Sequence, residues 1–233
     1  MKVGIMQPYL FPYIGYFQLI KAVSKFIIHD DIQYIKGGWI NRNRIQINNK
    51  DYLFTFSLKK HSSLKNINTL FFFNQFIKEK SNFLQLIQNN YKKAPHYFNI
   101  YNLLLDIFDF EESNISLFIT NSLKLICNYL GIKTPIYLSS DLKKNNKLKG
   151  QERVINICQT IRAKVYINPI GGKTLYSREV FKKNNISLFF LRTMDINYKH
   201  NKQAFIPNLS IVDVLMYNSK DEIKKMLMNF ELV

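Results

Sequence analysis

The opening of the chain restricts its fold more than any other feature: a short apolar run ends in Gln-Pro and is followed by a helix and a second apolar run. Residues 3–6 read as a buried strand, 14–23 as a helix with one apolar side, and 26–28 as a second strand. Strands that alternate with helices at this spacing are typical of parallel α/β sheets. Such sheets bind ligands where their strands finish, so we expect the ligand site at that edge.

The next part of the chain predicts a hairpin and a helical stretch. Runs at 44–47 and 52–56 flank a turn composition, which favours an antiparallel hairpin that extends the sheet. Apolar residues at helical spacing predict one helix that starts near Phe76 and ends before Pro95. A second helix follows Ser113 or Asn114 as its cap and stops at Gly131.

Strands and helices alternate again in the last hundred residues. We predict strands at 136–138, 165–167 and 187–191, helices at 151–161 and 177–183, and two capped helices that begin at Ser210 and Ser219. The predicted fold is therefore a single α/β domain over residues 1–233, with a Rossmann-like, mostly parallel sheet, an antiparallel hairpin extension and a helical middle segment.

Composition bounds the class of protein. A chain of 233 residues with 47% hydrophobic residues can bury a substantial core. The first residues lack the long apolar segment of a signal peptide, and no uncharged run approaches the roughly 20 residues that span a membrane. Cys127 and Cys158 lie in apolar periodic stretches, which is typical of free buried thiols. We therefore expect a cytoplasmic protein.

The net charge of +17 raises the question of an anionic partner. The excess is mostly lysine that is dispersed in short pairs along the chain, such as Lys59-Lys60 and Lys182-Lys183. Dispersed lysine favours a solvated surface, so we expect no stable nucleic-acid or membrane partner. Homo-oligomers are compatible with the sequence, which does not determine the oligomeric state.

The segment from Gln7 to Ile20 is too aromatic and too rich in proline for an ordinary exposed loop. Gly15 permits close approach of a ligand at the start of a helix, where free N–H groups favour phosphate or carboxylate. Tyr9, Tyr13 and Tyr16 offer flat walls and hydroxyls to a base or sugar. An aromatic plug in the core is an equally good interpretation.

A second group of candidates joins an acidic pair to a basic segment. Asp30 and Asp31 follow an apolar strand, where carboxylates can orient a sugar hydroxyl or accept a proton. We expect Arg42 and Arg44 to partner them in a clamp for a diphosphate sugar; a structural ion-pair cluster is the alternative. The remaining candidates of this segment are Trp39 and the alternating amides Asn41 and Asn43. For Trp39 two interpretations stay open: stacking on a base or sugar, and packing in the core.

The histidines offer candidates for a general base. His61, at the end of the hairpin strand, is preferred over His29, which precedes the acidic pair. His200 is expected at the surface, and Asp213 is expected in a helix-cap pattern with Ser210. No histidines or cysteines have metal-ligand spacing, so no metal site is predicted.

Several of these motifs, and others along nearly the whole chain, resemble the WbqC-like family. The residues that show the resemblance are Met6 to Tyr9, Phe11 to Phe17, Asp30-Asp31, Trp39 to Arg44, Lys92 to Pro95, Gly150 to Arg153, and Phe205 to Asp213. The segment from Ile167 to Lys173 departs from the pattern, because it carries Gly171-Gly172 where relatives are expected to carry Ser-Gly.

The resemblance implies a role in O-antigen or other surface-polysaccharide biosynthesis. It implies a transferase that moves an acyl or aminoacyl group, glycyl for instance, to the amine of a nucleotide-activated sugar. The cofactor is then an activated acyl or aminoacyl donor, and the partner is a small nucleotide sugar. The predicted catalytic residues are Asp31, His61 and Asp30, and the predicted substrate-binding residues are Gln7, Tyr9, Tyr13, Gly15, Tyr16, Trp39, Asn41, Arg42, Asn43 and Arg44.

Two alternatives to this function remain open. Tyr13-Ile14-Gly15-Tyr16 stands where nucleotidyltransferases of the pantothenate-synthetase kind place a His-x-Gly-His signature, which favours a nucleotidyltransferase or ligase. Tyrosine supplies a hydroxyl but no cation, so the topology fits better than the chemistry. The second alternative is a noncatalytic basic binding protein.

Overall fold

A computed structural model describes residues 1–62, 64–200 and 205–233. Strands and helices alternate at both ends of the chain, and three consecutive helices separate the two alternating parts. The strands are β1 (Lys2–Met6), β2 (Lys25–Ile28), β3 (Arg42–Ile47), β4 (Lys50–Thr55), β5 (Ile136–Leu138), β6 (Val165–Pro169), β7 (Ser187–Thr193) and β8 (Phe230–Leu232). The helices are α1 (Ile14–Ala22), α2 (Phe76–Tyr91), α3 (Tyr97–Phe108), α4 (Ile115–Leu130), α5 (Gly150–Thr160), α6 (Arg178–Lys183), α7 (Ile211–Tyr217) and α8 (Lys220–Met228).

Six strands form one sheet in the order β5-β2-β1-β6-β7-β8. All neighbours are parallel except β7 and β8, which are antiparallel. The predicted mixed α/β class with a mostly parallel sheet is confirmed. The sequence pattern did not predict α3 or the short edge strand β8.

The hairpin is confirmed, but β3 and β4 form a two-stranded sheet of their own instead of extending the large one. The turn has only two residues, Asn48 and Asn49, with φ of 50° and 62°, a backbone that asparagine tolerates better than most residues. Polar groups of other elements occupy the backbone of β3: Ser210 N–H donates to Arg44 O, and Gln46 N–H donates to the hydroxyl of Tyr91. Because helices use these groups, β3 does not join the large sheet.

Helices cover both faces of the large sheet. On one face, Phe26 and Ile167 belong to a core that includes α1 and the three helices of the middle segment. On the other face, Ile27 and Tyr166 pack in a smaller core with α5 and α6. Successive strand residues therefore alternate between two buried faces, which explains why these strands read as continuous apolar runs.

The predicted caps are found where the sequence places them. The side chain of Asn114 accepts from the N–H groups of Ser116 and Leu117, and Gly131 ends α4 with a φ of 70°. Ser219 and Glu222 form the predicted capping box of α8. No helix in the described residues is long and apolar enough to cross a membrane.

Candidate functional site

The topology singles out one edge of the large sheet. From β1 the chain moves through β2 to β5 on one side, and it then returns to place β6 on the other side of β1. The carboxyl ends of β1 and β6 thus diverge at a topological switch point, the usual location of ligands in open α/β sheets. Gln7 follows β1 at this point, and Asn168 lies at the end of β6.

A charged cluster lies at the same edge, beyond β2. Oδ2 of Asp31 is 2.7 Å from Nη2 of Arg153 and 2.5 Å from Nζ of Lys144. Arg153 also donates to the backbone oxygen of Asp31, at 3.0 Å, and Lys144 donates to the carbonyl of Ser139. The Asp31 cluster, by which we mean Asp31, Lys144 and Arg153, therefore holds two cations against one carboxylate at the strand ends.

The electrostatics of the Asp31 cluster favour an ionised carboxylate. Burial alone would raise the pKa of Asp31, but the hydrogen bond and charge of Lys144, together with the charge of Arg153, hold this pKa below its ordinary value. An ionised Asp31 leaves one positive charge in excess in the cluster. An anionic ligand can neutralise that charge at the open edge of the sheet.

The expected pairing of the acidic residues with Arg42 and Arg44 is wrong. Arg44 forms its ion pair with Asp51, at 2.9 Å, across the β3–β4 hairpin. Arg42 donates through Nε to the carbonyl of Gly38, at 3.0 Å, and through Nη2 to the carbonyl of Gly37. The physical reason is that Arg42 and Arg44 find acceptors close to them in the chain, in a neighbouring turn and in the hairpin. Asp31 is paired instead with cations from the segment that follows β5.

Asp30 has different hydrogen-bond partners and a different environment from the adjacent Asp31. Its two carboxylate oxygens accept from the backbone N–H of Ser140, at 3.0 Å, and from the hydroxyl of Ser140, at 2.7 Å. Burial raises the pKa of Asp30, and the hydrogen bonds from Ser140 act against this. This side chain joins the ends of β2 and β5, and both of its oxygens are used in doing so.

His29 lies within the electrostatic field of the Asp31 cluster. Burial lowers its pKa to about 4, with the charges of Arg153 and Lys144 acting in the same direction and Asp31 opposing them. The ring is therefore neutral at pH 7. Its Nε2 is buried and has no hydrogen-bond partner among the described residues, so the fold itself does not use this nitrogen.

The loop between β1 and α1 is covered and held from two sides. Phe11 is fully buried with a φ of 43°, an unfavourable conformation for an aromatic residue. Its carbonyl accepts from Nδ2 of Asn43, at 2.8 Å, and from the hydroxyl of Ser210, at 2.8 Å. The hydroxyl of Tyr16, which is also buried, donates to the carbonyl of Gln7. These bonds fix the turn that follows the switch-point strand.

Gly15 is enclosed by protein. A Cβ atom at this position would lie 2.3 Å from the ring of Tyr13 and 2.6 Å from Oγ1 of Thr193. The ring of Tyr13 thus packs over the start of α1, and its hydroxyl is hydrogen-bonded to Thr193. The absence of a side chain at Gly15 lets Tyr13 connect α1 with the carboxyl end of β7.

The remaining substrate-binding candidates divide between buried and exposed positions. Asn41 is buried, with Oδ1 accepting from the hydroxyl of Tyr34 and Nδ2 donating to the carbonyl of Phe56. Trp39 is 38% exposed, and the guanidinium groups of Arg42 and Arg44 lie 5.8 and 5.4 Å from its ring centroid. The partly exposed ring of Tyr9 contacts Tyr16, with centroids 5.8 Å apart.

His61 lies apart from the contacts of the Asp31 cluster. Its ring packs edge-on against Tyr34, with centroids 5.1 Å apart, and Nδ1 is 3.0 Å from the carbonyl of Ser62. Of the two histidines considered as bases, the structure therefore brings His29, the less favoured one, into the electrostatic environment of Asp31.

In the last third of the chain, the expected surface position of His200 is wrong, and Asp213, which lies in the first turn of the helix capped by Ser210, has a larger role than the cap pattern predicts. His200 is buried, with Nε2 3.1 Å from Oδ2 of Asp213. Asp213 is also fully buried and accepts from the hydroxyls of Tyr91, at 2.5 Å, and Tyr198, at 2.6 Å. It is the centre of a polar network that joins α2, α7 and the segment after β7, so its role extends well beyond the end of one helix.

Sequence reasoning missed Lys144 and Arg153 as individual candidates. Lys144 stands among many dispersed lysines, and no local pattern distinguishes it. Arg153 had a signal, because Gly150 to Arg153 is one of the segments that resemble the family. Among the described residues no group of three or more histidine, cysteine or acidic side chains could hold a metal ion.

Fold and site together define an α/β protein with a doubly wound sheet and a charged cluster at the carboxyl-end edge of that sheet. The model of the WbqC-like protein family matches residues 7–225, and the chain belongs to this family. A relative from Mycobacterium tuberculosis, "Uncharacterized protein Rv1507c", is 33% identical over 218 residues, which cover 92% of each chain. No solved structure matches significantly. Family membership suggests a role in polysaccharide biosynthesis and agrees with an enzymatic function.

Proposed function

We propose that this protein is a transferase that binds a nucleotide-activated amino sugar at the switch-point edge and moves an acyl or aminoacyl group to the sugar amine. One observation supports this most directly: the Asp31 cluster places Lys144 and Arg153, held by one carboxylate, where an open α/β sheet binds its ligand. The excess positive charge suits a diphosphate. The family context in polysaccharide biosynthesis suggests the sugar.

In the proposed reaction the amine nitrogen bonds to the acyl carbon of the donor, and the bond from that carbon to the leaving group breaks. The nitrogen must lose a proton, which finally reaches the leaving group. His29 is neutral at pH 7 because burial lowers its pKa to about 4. A weak neutral base suits this step, because the proton becomes acidic once the nitrogen has bonded to the acyl carbon.

Asp31 has a positioning role in this proposal. Its pKa is held low despite its burial, and its Oδ2 is already engaged by two cations, so it is a poor proton acceptor. It orients Lys144 and Arg153, which would otherwise repel each other.

Calorimetric titration with UDP-N-acetylglucosamine tests the phosphate site. Lys144→Met keeps the length of a buried side chain and removes its charge, and we expect about tenfold weaker binding. Lys143→Met is the matched control, because the neighbouring Lys143 is exposed, and it should bind like the wild type. Equal affinities for both folded variants, or no binding by the wild type, would contradict the proposed site.

A transfer assay tests the reaction. Mass spectrometry should detect acylation of UDP-glucosamine supplied with acyl or aminoacyl thioesters, and His29→Asn should slow this reaction more than His61→Asn does.

The calorimetric titration with UDP-N-acetylglucosamine should also be repeated at several salt concentrations. A basic surface that binds polyanions through many lysines loses affinity steeply with salt, whereas a compact diphosphate site responds modestly.

A further inference from the structure

A second cleft lies on the other side of the switch point, beyond the carboxyl end of β7. It has a volume of about 460 Å³ and lies between the loop that precedes α1, the residues after β7 and the segment that leads into α7. Ligand sites for small molecules typically have volumes of roughly 300–1,000 Å³. Because β7 runs parallel to β6 and β1, this cleft opens at the same edge as the Asp31 cluster.

The lining of the cleft is unlike the rest of this protein. Its polar side chains come from Tyr13, Thr193, Asp195, Asn197 and Asn208. Asp195 is the only charged residue in that lining within the described part of the chain, and it is acidic, although the whole chain has a net charge of +17. A shallower groove beside the cleft shares Asp195 and adds Lys225 from α8. Among the described residues, the lining of the cleft itself is therefore acidic, whereas the Asp31 cluster has one positive charge in excess.

Three hydrogen bonds hold the walls of the cleft. The hydroxyl of Tyr13 is bonded to Thr193, and the hydroxyl of Tyr198 donates to the buried carboxylate of Asp213, at 2.6 Å. The backbone oxygen of Asp195 accepts from Nδ2 of Asn229, at 3.0 Å. The cleft is therefore preformed, and the exposed carboxylate of Asp195 is available to a ligand.

We infer that this cleft binds the amine-bearing part of the substrate, with Asp195 recognising a protonated amino group and the neighbouring hydroxyls and amides recognising sugar hydroxyls. The inference rests on the proposed function for the identity of the amine as acyl acceptor. It adds a second subsite at the carboxyl end of β7, three strand spacings or roughly 14 Å from β2. This subsite holds the protonated amino sugar before the amine moves to the Asp31 cluster for the reaction. The protonated amine must release its proton before it attacks, so Asp195 acts in binding and not as the base.

D-Glucosamine is the probe, because it has the amine and the hydroxyls but no phosphate, and N-acetyl-D-glucosamine is its uncharged counterpart. The protein is labelled at its isoleucine and valine methyl groups and titrated with each sugar. We expect glucosamine to shift the methyl signals of Ile14, Ile196 and Val214, which line the cleft, and to leave Ile155, in the smaller core, unchanged. N-Acetylglucosamine should shift the cleft signals at several-fold higher concentration.

Asp195→Asn should weaken glucosamine binding about fivefold by removing a charge-assisted hydrogen bond, and should leave N-acetylglucosamine binding unchanged. Asp106→Asn, in an exposed acidic residue of α3, is the matched control and should bind as the wild type does. Equal binding of the two sugars, an unchanged affinity in Asp195→Asn, or shifts confined to methyl groups outside the cleft would overturn the inference. Because glucosamine has no phosphate, that result would leave the diphosphate site at Lys144 to be judged by its own titration.

Discussion

Asp31 and Asp213 are both largely buried carboxylates, yet their surroundings are opposite in kind. Asp31 has a side chain that is 10% exposed and faces two cations at the open edge of the sheet. Asp213 is fully buried and is surrounded by the hydroxyls of Tyr91 and Tyr198 and by the ring of His200. The interior carboxylate is satisfied by groups of the fold itself, whereas the edge cluster pairs two cations with one carboxylate, and the oxygens of the neighbouring Asp30 are bonded to Ser140.

This difference separates a structural role from a functional one. A buried carboxylate with a full set of donors stabilises the packing of the elements that supply them, here α2, α7 and the segment after β7. A carboxylate that holds two cations at a ligand edge adds less to net stability, because the cost of removing all three charges from water offsets their attraction, but it determines where the cations lie. Replacing each residue in turn tests this comparison.

The largest effect is expected for Asp213→Asn. An amide presents a donor to groups that already donate, so the variant should lose about 3–5 kcal/mol of unfolding free energy. The melting temperature should fall by about 10 °C. Asp221→Asn is the control, since the exposed Asp221 pairs only with Lys224, three residues away, and should melt like the wild type. Similar melting of both variants would show that the Asp213 network adds little to stability.

Asp31→Asn should lower stability less and turnover more. Loss of the charge leaves Lys144 and Arg153 facing each other at the edge, but the amide oxygen of asparagine can still accept from one of them, so the cost should be about 2 kcal/mol. Turnover should fall at least about tenfold, because the cations lose their orientation. Thermal melts and the transfer assay measure the two effects. Full activity with a melting temperature as low as that of Asp213→Asn would reverse the comparison between the two carboxylates.

A pH dependence is expected from His29. Its pKa is lowered from 6.5 to about 4 in the folded protein, so the unfolded chain binds the proton more readily between these values. Stability is complete above pH 6.5 and is lost as the pH falls toward 4, by about 2 kcal/mol between pH 7 and 5. Urea unfolding at these two pH values should show a smaller loss for His29→Asn. An identical loss in both proteins would place the dependence on other groups.

The smallest effect is expected for Arg44→Ala. Its ion pair with Asp51 is exposed, and such pairs contribute about 0.5 kcal/mol, so the melting temperature should change by about 2 °C or less. Binding of UDP-N-acetylglucosamine should weaken by about two- to threefold, less than in Lys144→Met, because an exposed cation is well screened. A loss greater than that of Lys144→Met would move the phosphate site to the hairpin.

The sequence by itself determined the elements whose signals are local. The apolar runs of β1, β2 and β7, the caps at Asn114 and Ser219, and the stop at Gly131 depend on neighbours within a few residues, and all are found where they are predicted. The location of a ligand site at the strand ends also follows from the alternation of strands and helices. The helix α3 was missed although its buried residues Ile100, Leu103, Leu104 and Ile107 recur at helical spacing, whereas the three-residue strand β8 is too short for a clear periodic signal.

Only the tertiary structure decided which charges meet. Asp31 lies more than a hundred positions before Lys144 and Arg153, and Asp213 lies more than a hundred positions after Tyr91. Proximity along the chain instead suggested Arg42 and Arg44 as the partners of Asp31. In the structure Arg42 donates to nearby carbonyls, and Arg44 pairs with Asp51. An ion pair or hydrogen bond between residues far apart in the chain leaves no local pattern in the sequence. Its partners are determined by the order of the strands in the sheet and by which groups each side chain can reach in the folded protein.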